Sequence, residues 1–227
     1  MAILDKNIDR HGRKVFSQNN EDGIIEYLSN KLAPSPGYFV EIGVGPPSGG
    51  ALERDGLEAN CRLLREKGWA GLFLDGQKYP DSYDVKREFI TALNINVLLN
   101  KYNCPDDIDV FSIDVDGQDL WIWLSLTRRP KIVVVEFNRD FGPDESFVVP
   151  FNVDFRWDCT RYMGASLLAM CKVGESKGYR PVYANHANVF FVREELIENG
   201  EDFPYHLRMA KGKIHRDYEG ERLWTKI

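Results

Sequence analysis

The sequence predicts an α/β protein built on a mostly parallel sheet with helices on both faces. Three observations carry that prediction. Short, almost unbroken apolar runs recur along the chain, stretches with helical apolar spacing lie between them, and several runs end on an acid or a glycine. A strand buried on both faces reads as a continuous apolar run, and alternation with helices is the signature of a parallel sheet.

Tyr38-Phe39-Val40-Glu41-Ile42 is the first such run and stops at Gly43. Leu57 to Lys67 carries Leu57, Cys61 and Leu64 at helical spacing and ends at Gly68, which predicts a helix. Gly71-Leu72-Phe73-Leu74-Asp75 is the second strand, and Phe89 to Leu93 supplies a third. Val110-Phe111-Ser112-Ile113-Asp114 is the fourth, and Ile132-Val133-Val134-Val135-Glu136, the most hydrophobic, is the fifth. Gly164 to Lys177 reads as a helix, followed by strands at Tyr179 to Tyr183 and Val189 to Val192. The short connection Ala184 to Asn188 allows those two to pair as an antiparallel hairpin at one end of the sheet. The expectation is therefore a Rossmann-like, doubly wound, mostly parallel seven-stranded sheet with an antiparallel last strand. No repeat or linker interrupts the order, so one domain is expected over residues 1–227, with a core of about 16–195 and peripheral arms at both ends.

Composition narrows the function. The chain of 227 residues is 43% hydrophobic and 28% charged with a net charge of -6. The only basic cluster, Lys211 to Arg216, reads as a solvated tail, so a nucleic-acid partner is not expected and a small-molecule or cationic substrate is favoured. No apolar run nears the roughly 18 residues of a membrane span. Met1 to Arg10 lacks the apolar centre of a secretion signal, so a cytoplasmic location is expected. Cys61, Cys104, Cys159 and Cys171 form no C-x-x-C pair, which removes the usual zinc and redox motifs. Whether the chain forms a homo-oligomer is left open.

The strand ends carry the chemistry, because ligands of open parallel sheets bind outside the carboxyl ends of the strands. The first strand runs into Glu41-Ile42-Gly43-Val44-Gly45, a tight turn whose N–H groups can approach a ligand. A dinucleotide loop would need a third glycine where Ser48 stands, after Pro46-Pro47. The carboxylate beside the turn would repel a pyrophosphate but suits a sulfonium or an ammonium. Asp75 ends the second strand, where an acid can accept hydrogen bonds from ribose hydroxyls. The fourth strand runs into Asp114-Val115-Asp116-Gly117-Gln118-Asp119 and the fifth into Glu136-Phe137-Asn138, so oxygen ligands converge from neighbouring strands. They suit a hard cation such as Mg²⁺, or a substrate hydroxyl or amine. Asp116 and Asp119 read equally well as helix-capping acids.

Together these segments resemble class I S-adenosylmethionine-dependent methyltransferases, and within them the FkbM-like family. The resemblance rests on Phe39 to Gly45, on Ser112-Ile113-Asp114-Val115-Asp116-Gly117, on Val134 to Asn138 and on Asn188 to Arg193. Phe16 to Gly23 and Lys67 to Gly71 add to it, so that it covers roughly residues 16–195. It implies S-adenosylmethionine as cofactor. Glu41, Gly43 and Gly45 would line its methionine and ribose side, and Asp75 would hold the ribose hydroxyls. Asn94, or its neighbours Ala92 and Leu93, would border the adenine, and Asp114 would lie near the amino-acid end. Gly76-Gln77 after Asp75 depart from the family's usual residues, which leaves the adenine contacts open.

Methyl transfer requires an aligned, desolvated acceptor and, for a hydroxyl, removal of its proton. O-methylation of a small molecule is the expected reaction, with Asp114 and Glu136 as its catalytic acids. In metal-dependent O-methyltransferases acids and an amide from these two strand ends hold the metal, which here would be Asp114, Glu136 and Asn138. His186, between the last two strands, is a candidate base or a structural histidine. The stretch Phe151 to Met163 carries Arg156, Trp157, Asp158, Arg161 and Tyr162 where substrate-capping loops sit. Arg156 or Arg161 suits an anionic group and Trp157 an aromatic or cationic one, with Asn138 and Tyr162 as further substrate contacts. Two other classes share these features: a nicotinamide-dependent oxidoreductase, and a non-catalytic relative that binds a partner without cofactor.

Overall fold

A computed structural model describes residues 1–33, 35–45, 57–198 and 222–227. Pro46, Pro47, Ser48 and the basic cluster at 211–216 lie outside the described residues.

The chain runs α1 (Glu21–Leu32), β1 (Tyr38–Ile42), α2 (Arg62–Glu66), β2 (Ala70–Asp75), β3 (Val85–Arg87), α3 (Ile95–Lys101), β4 (Val110–Ile113), α4 (Asp119–Ser125), β5 (Ile132–Glu136), β6 (Phe147–Val148), α5 (Leu167–Ser176), β7 (Tyr179–Ala184), β8 (Asn188–Arg193) and β9 (Thr225–Lys226). Seven strands form one sheet in the order β3-β2-β1-β4-β5-β8-β7. The first five are parallel, and β8 inserts antiparallel between β5 and β7. This is the doubly wound, mostly parallel sheet that the apolar runs predict.

Side-chain alternation along each strand feeds two cores. Phe39, Phe73, Val110, Ile132, Val134 and Phe190 pack against Ile24, Ile25 and Leu28 of α1 and Leu64 of α2. On the other face, Val40, Phe111, Val133 and Phe191 pack against Leu98 of α3, Trp123 of α4 and Met170 of α5. The same alternation brings Glu41, Asp75, Asp114, Glu136 and Asn188 into phase with the first set. These polar residues therefore stand on one side of the sheet, at the end where the parallel strands finish.

Three expected elements differ in place or extent. The third strand is Val85–Arg87, paired to β2 through Phe73↔Val85 and Asp75↔Arg87, and not Phe89 to Leu93. An edge strand needs few apolar residues. The apolar pattern of 89–93 instead serves a loop wall, with Ile90 and Ala92 turned into the core and Phe89 and Leu93 exposed. The helix expected from Leu57 begins only at Arg62, because residues before it are held in a loop: Asn60 and Cys61 donate their N–H groups to the two oxygens of Glu41, at 2.8 and 2.7 Å. The helix expected over 164–177 forms from Leu167, with the Ser166 hydroxyl as its cap.

The described parts of the regions read as arms are packed. Leu4 and Ile8 are buried, and Ala2 donates to the Leu196 carbonyl at 2.7 Å. At the other end β9 pairs with β6, Arg222 bonds Asp158 and Thr160, Tyr162 donates to the Leu223 carbonyl, and Trp224 stands edge-on to Phe141 and Tyr162. Among the described residues no helix is long and apolar enough to cross a membrane.

Candidate functional site

The strand order reverses between β1 and β4, with β2 and β3 to one side and β5 to the other. In such sheets the crevice at the reversal is where ligands bind. A cavity of about 600 Å³ opens there.

Gly43 makes the crevice possible. Its φ is +76°, and a Cβ built on it would lie 1.3 Å from the Asp114 carbonyl oxygen. Its N–H donates to the Leu74 carbonyl at 2.9 Å, while Asp114 donates to the Ile42 carbonyl at 2.9 Å. Gly43 thus closes three strand ends together. Asp75 ends β2 with one carboxylate oxygen accepting from Val44 at 2.8 Å and the other from Gln77 at 2.6 Å. It lines the cavity and pins the turn after β1. Glu41 does the same for the turn before α2, and burial pushes its carboxyl up to about 7 despite those two N–H donors.

Asp114 and Glu136 line the floor, and the fully buried Asp119, outside the lining, completes an acid cluster with them. Ligand oxygens of Asp114, Asp119 and Glu136 lie within 4.8 Å of one another. Burial, then the charges of Asp119 and Asp116, push the Asp114 carboxyl well above its usual range. Burial, then Asp114, does the same to Glu136, and the two are hydrogen-bonded to each other. Two carboxyls this close hold a proton between them, because both cannot ionise cheaply. Asp119 is pushed up to about 6 by burial, and it fixes the 115–117 turn by accepting from Val115 at 2.7 Å and Gly117 at 2.8 Å.

Asn188 is the residue that sequence reasoning missed. It is 2% exposed, lines the cavity, and stands opposite Glu136 in the β5–β8 pairing. Its amide nitrogen donates to Glu21 at 3.2 Å. Burial raises the Glu21 carboxyl, but donors led by the Asn185 amide, at 2.6 Å, outweigh it and keep the acid ionised. The Asn188 amide oxygen and Glu136 Oε2 have no hydrogen-bond partner among the described residues. A buried oxygen without a donor costs about 1–3 kcal/mol, so both atoms are open to a donor or cation from a ligand.

Several expected residues lie elsewhere. Asn138 donates its amide to the carbonyls of Arg161 and Met163 and accepts from Asp140, all at 2.9 Å, so it is spent on loop geometry and is not in the cavity wall. His186 is exposed at the tip of the β7–β8 hairpin, outside the lining. Asn94 accepts from Thr91 and donates to the Phe89 carbonyl, each at 2.8 Å, shaping the wall without joining it; Ile90, Thr91 and Ala92 form that wall. Leu93 is turned to solvent. Arg161 pairs with Asp140 and Tyr162 with the Leu223 carbonyl, and neither lines the cavity. Arg156 and Trp157 do line it, as do Glu41, Gly43, Gly45, Asp75, Asp114 and Glu136.

No protein-family model matches the sequence. No curated protein matches it either. Two solved structures of the MycE methyltransferase from the mycinamycin biosynthetic pathway align with 73% of the chain, each with a TM-score of 0.42. One, in complex with Mg, SAH and mycinamycin VI, is 13% identical; the other, with Mg and SAH, is 14% identical. The chain spans about half of that protein, 47% of its length.

Proposed function

We propose that the chain is an S-adenosylmethionine-dependent methyltransferase of the FkbM-like kind, acting in the cytoplasm on a small-molecule acceptor by O-methylation. The observation that carries this reading is the charge of the cavity at the strand reversal. Among the described residues, Glu41, Glu58, Asp75, Asp114, Asp116 and Glu136 line it against one cation, Arg156. A pyrophosphate is repelled by such walls, which disfavours a nicotinamide dinucleotide, whereas a sulfonium and an α-ammonium are attracted. Three strand-end motifs that resemble the family supply four of these acids, Glu41, Asp114, Asp116 and Glu136.

In the reaction the acceptor oxygen attacks the sulfonium methyl in line. The new C–O bond forms as the C–S bond breaks, its electron pair passes to sulfur, and S-adenosylhomocysteine leaves uncharged. The hydroxyl proton goes to an ionised oxygen of the Asp114–Glu136 pair. Calorimetry should show S-adenosylhomocysteine binding and no NADH binding; the reverse result would make the chain an oxidoreductase. Asp75→Ala should weaken S-adenosylhomocysteine by about 1–3 kcal/mol, the cost of stranding its polar partners. A smaller change in titration would place Asp75 outside the ribose site.

The floor also fits a divalent cation. Asp114, Asp119 and Glu136 would hold it, with the unpartnered amide oxygen of Asn188 beside them, an all-oxygen set suited to Mg²⁺ or Mn²⁺. Such an ion would make an acceptor hydroxyl more acidic. EDTA should then abolish turnover and Mg²⁺ restore it, while full activity after EDTA would leave proton removal to the acids alone.

A further inference from the structure

The mouth of the cavity differs from its floor. Phe89, Phe151, Val153 and Trp157 are large apolar side chains left between 38% and 46% exposed, and all four line the opening. They come from two separate segments, the wall after β3 and the loop before α5. Arg156 bridges these segments, with its guanidinium carbon 3.5 Å from the centre of the Phe89 ring. Its hydrogen bond is to the carbonyl of neighbouring Phe155, at 2.8 Å, and among the described residues it has no carboxylate partner. The neighbouring arginines do: Arg161 pairs with Asp140 at 3.2 Å and Arg222 with Asp158 at 2.7 Å. Trp157 is held by a bond from its indole N–H to the Thr160 carbonyl at 2.6 Å.

A stacked guanidinium keeps its edge free for a planar anion, and the surrounding rim is apolar and aromatic. We propose that the methyl acceptor is a flat apolar molecule bearing one anionic group, which Arg156 receives at the mouth while the ring lies against Phe89 and Trp157 and the nucleophile reaches the acid floor. The six acids below disfavour an anion at the inner end of the acceptor, so its negative group is steered to Arg156 at the mouth. This rests on the methyltransferase reading of the same cavity.

The test is calorimetry on the full chain, with and without saturating S-adenosylhomocysteine, using 3,4-dihydroxybenzoate, catechol and 3,4-dihydroxybenzylamine as probes. The benzoate is expected to bind at least about tenfold more tightly than catechol, in line with a charge-assisted hydrogen-bond pair, and the amine no more tightly than catechol. Arg156→Ala should shrink the preference to within about twofold and Arg156→Lys should retain part of it, with S-adenosylhomocysteine affinity unchanged in both. Equal affinity for acid and neutral probes, a preference that survives Arg156→Ala, or no binding of any probe overturns the proposal. So does a loss of S-adenosylhomocysteine affinity in Arg156→Ala, which would give the arginine to the cofactor. A dimer that dissociates on Trp157→Asp would assign the rim to a second copy and overturn it as well. Failure of the methyltransferase reading shows separately, as absent S-adenosylhomocysteine binding in the unmodified chain, with the benzoate preference still readable in the cofactor-free arm.

Discussion

Asp114→Asn combined with Glu136→Gln is expected to lower turnover by about 10²–10⁴-fold, the range for removing a positioned acid or base. S-adenosylhomocysteine affinity should fall by far less than turnover. The two carboxyls are hydrogen-bonded to each other and pushed up first by burial and then by neighbouring charge, which sets them apart from the surface acids as the pair placed for proton exchange. An interaction used only in the transition state is read in the rate rather than in binding. Both replacements keep shape and remove like charge from a buried site, so the melting temperature should hold or rise. His186→Ala should leave turnover unchanged, because the ring lies outside the cavity. The measurement is S-adenosylhomocysteine release with a hydroxylated acceptor that the parent chain methylates. A double variant with full turnover would make these acids structural.

Gly43→Val is expected to cost more than about 4 kcal/mol and to leave little soluble protein. Two terms add. A branched residue at φ +76° is strained by about 1–3 kcal/mol, and its Cβ would overlap the Asp114 carbonyl at 1.3 Å, which no rotamer change relieves. Even Gly43→Ala meets the same backbone. Gly45→Ala is the control: its Cβ would stand 3.4 Å from the Glu58 carboxylate, near ordinary contact, and its stability should match the parent within about 1 kcal/mol. Urea unfolding of the three variants checks this, and a Gly43→Ala protein with unchanged midpoint would refute it. A loss of cofactor binding in Gly43 variants thus reports the fold before it reports the ligand.

What was legible in the sequence follows from how local each cause is. β1, β2, β4 and β5 are buried on both faces, so their apolar runs announce them. β3 does not, because Val85-Lys86-Arg87 at the sheet edge needs little apolar surface, and α1 hides behind Glu21 and Asp22, which are buried but polar. The acids of the site were readable from their position after apolar strands. Asn138 was misjudged because its partners, the carbonyls of Arg161 and Met163, arrive from a distant loop. Asn188 was invisible because its place opposite Glu136 depends on antiparallel register, a long-range pairing that no window of sequence contains.

The loop carrying Arg156 and Trp157 is held from outside by Arg222, Leu223 and Trp224, while its inner side faces the cavity. Ordering a loop around a ligand ordinarily subtracts from affinity, because immobilising each long side chain costs about 0.5–1.5 kcal/mol. Here the chain itself has met that conformational entropy before any acceptor arrives. A loop braced in this way discriminates by shape, and it gives up the plasticity that would let it accept acceptors of many sizes.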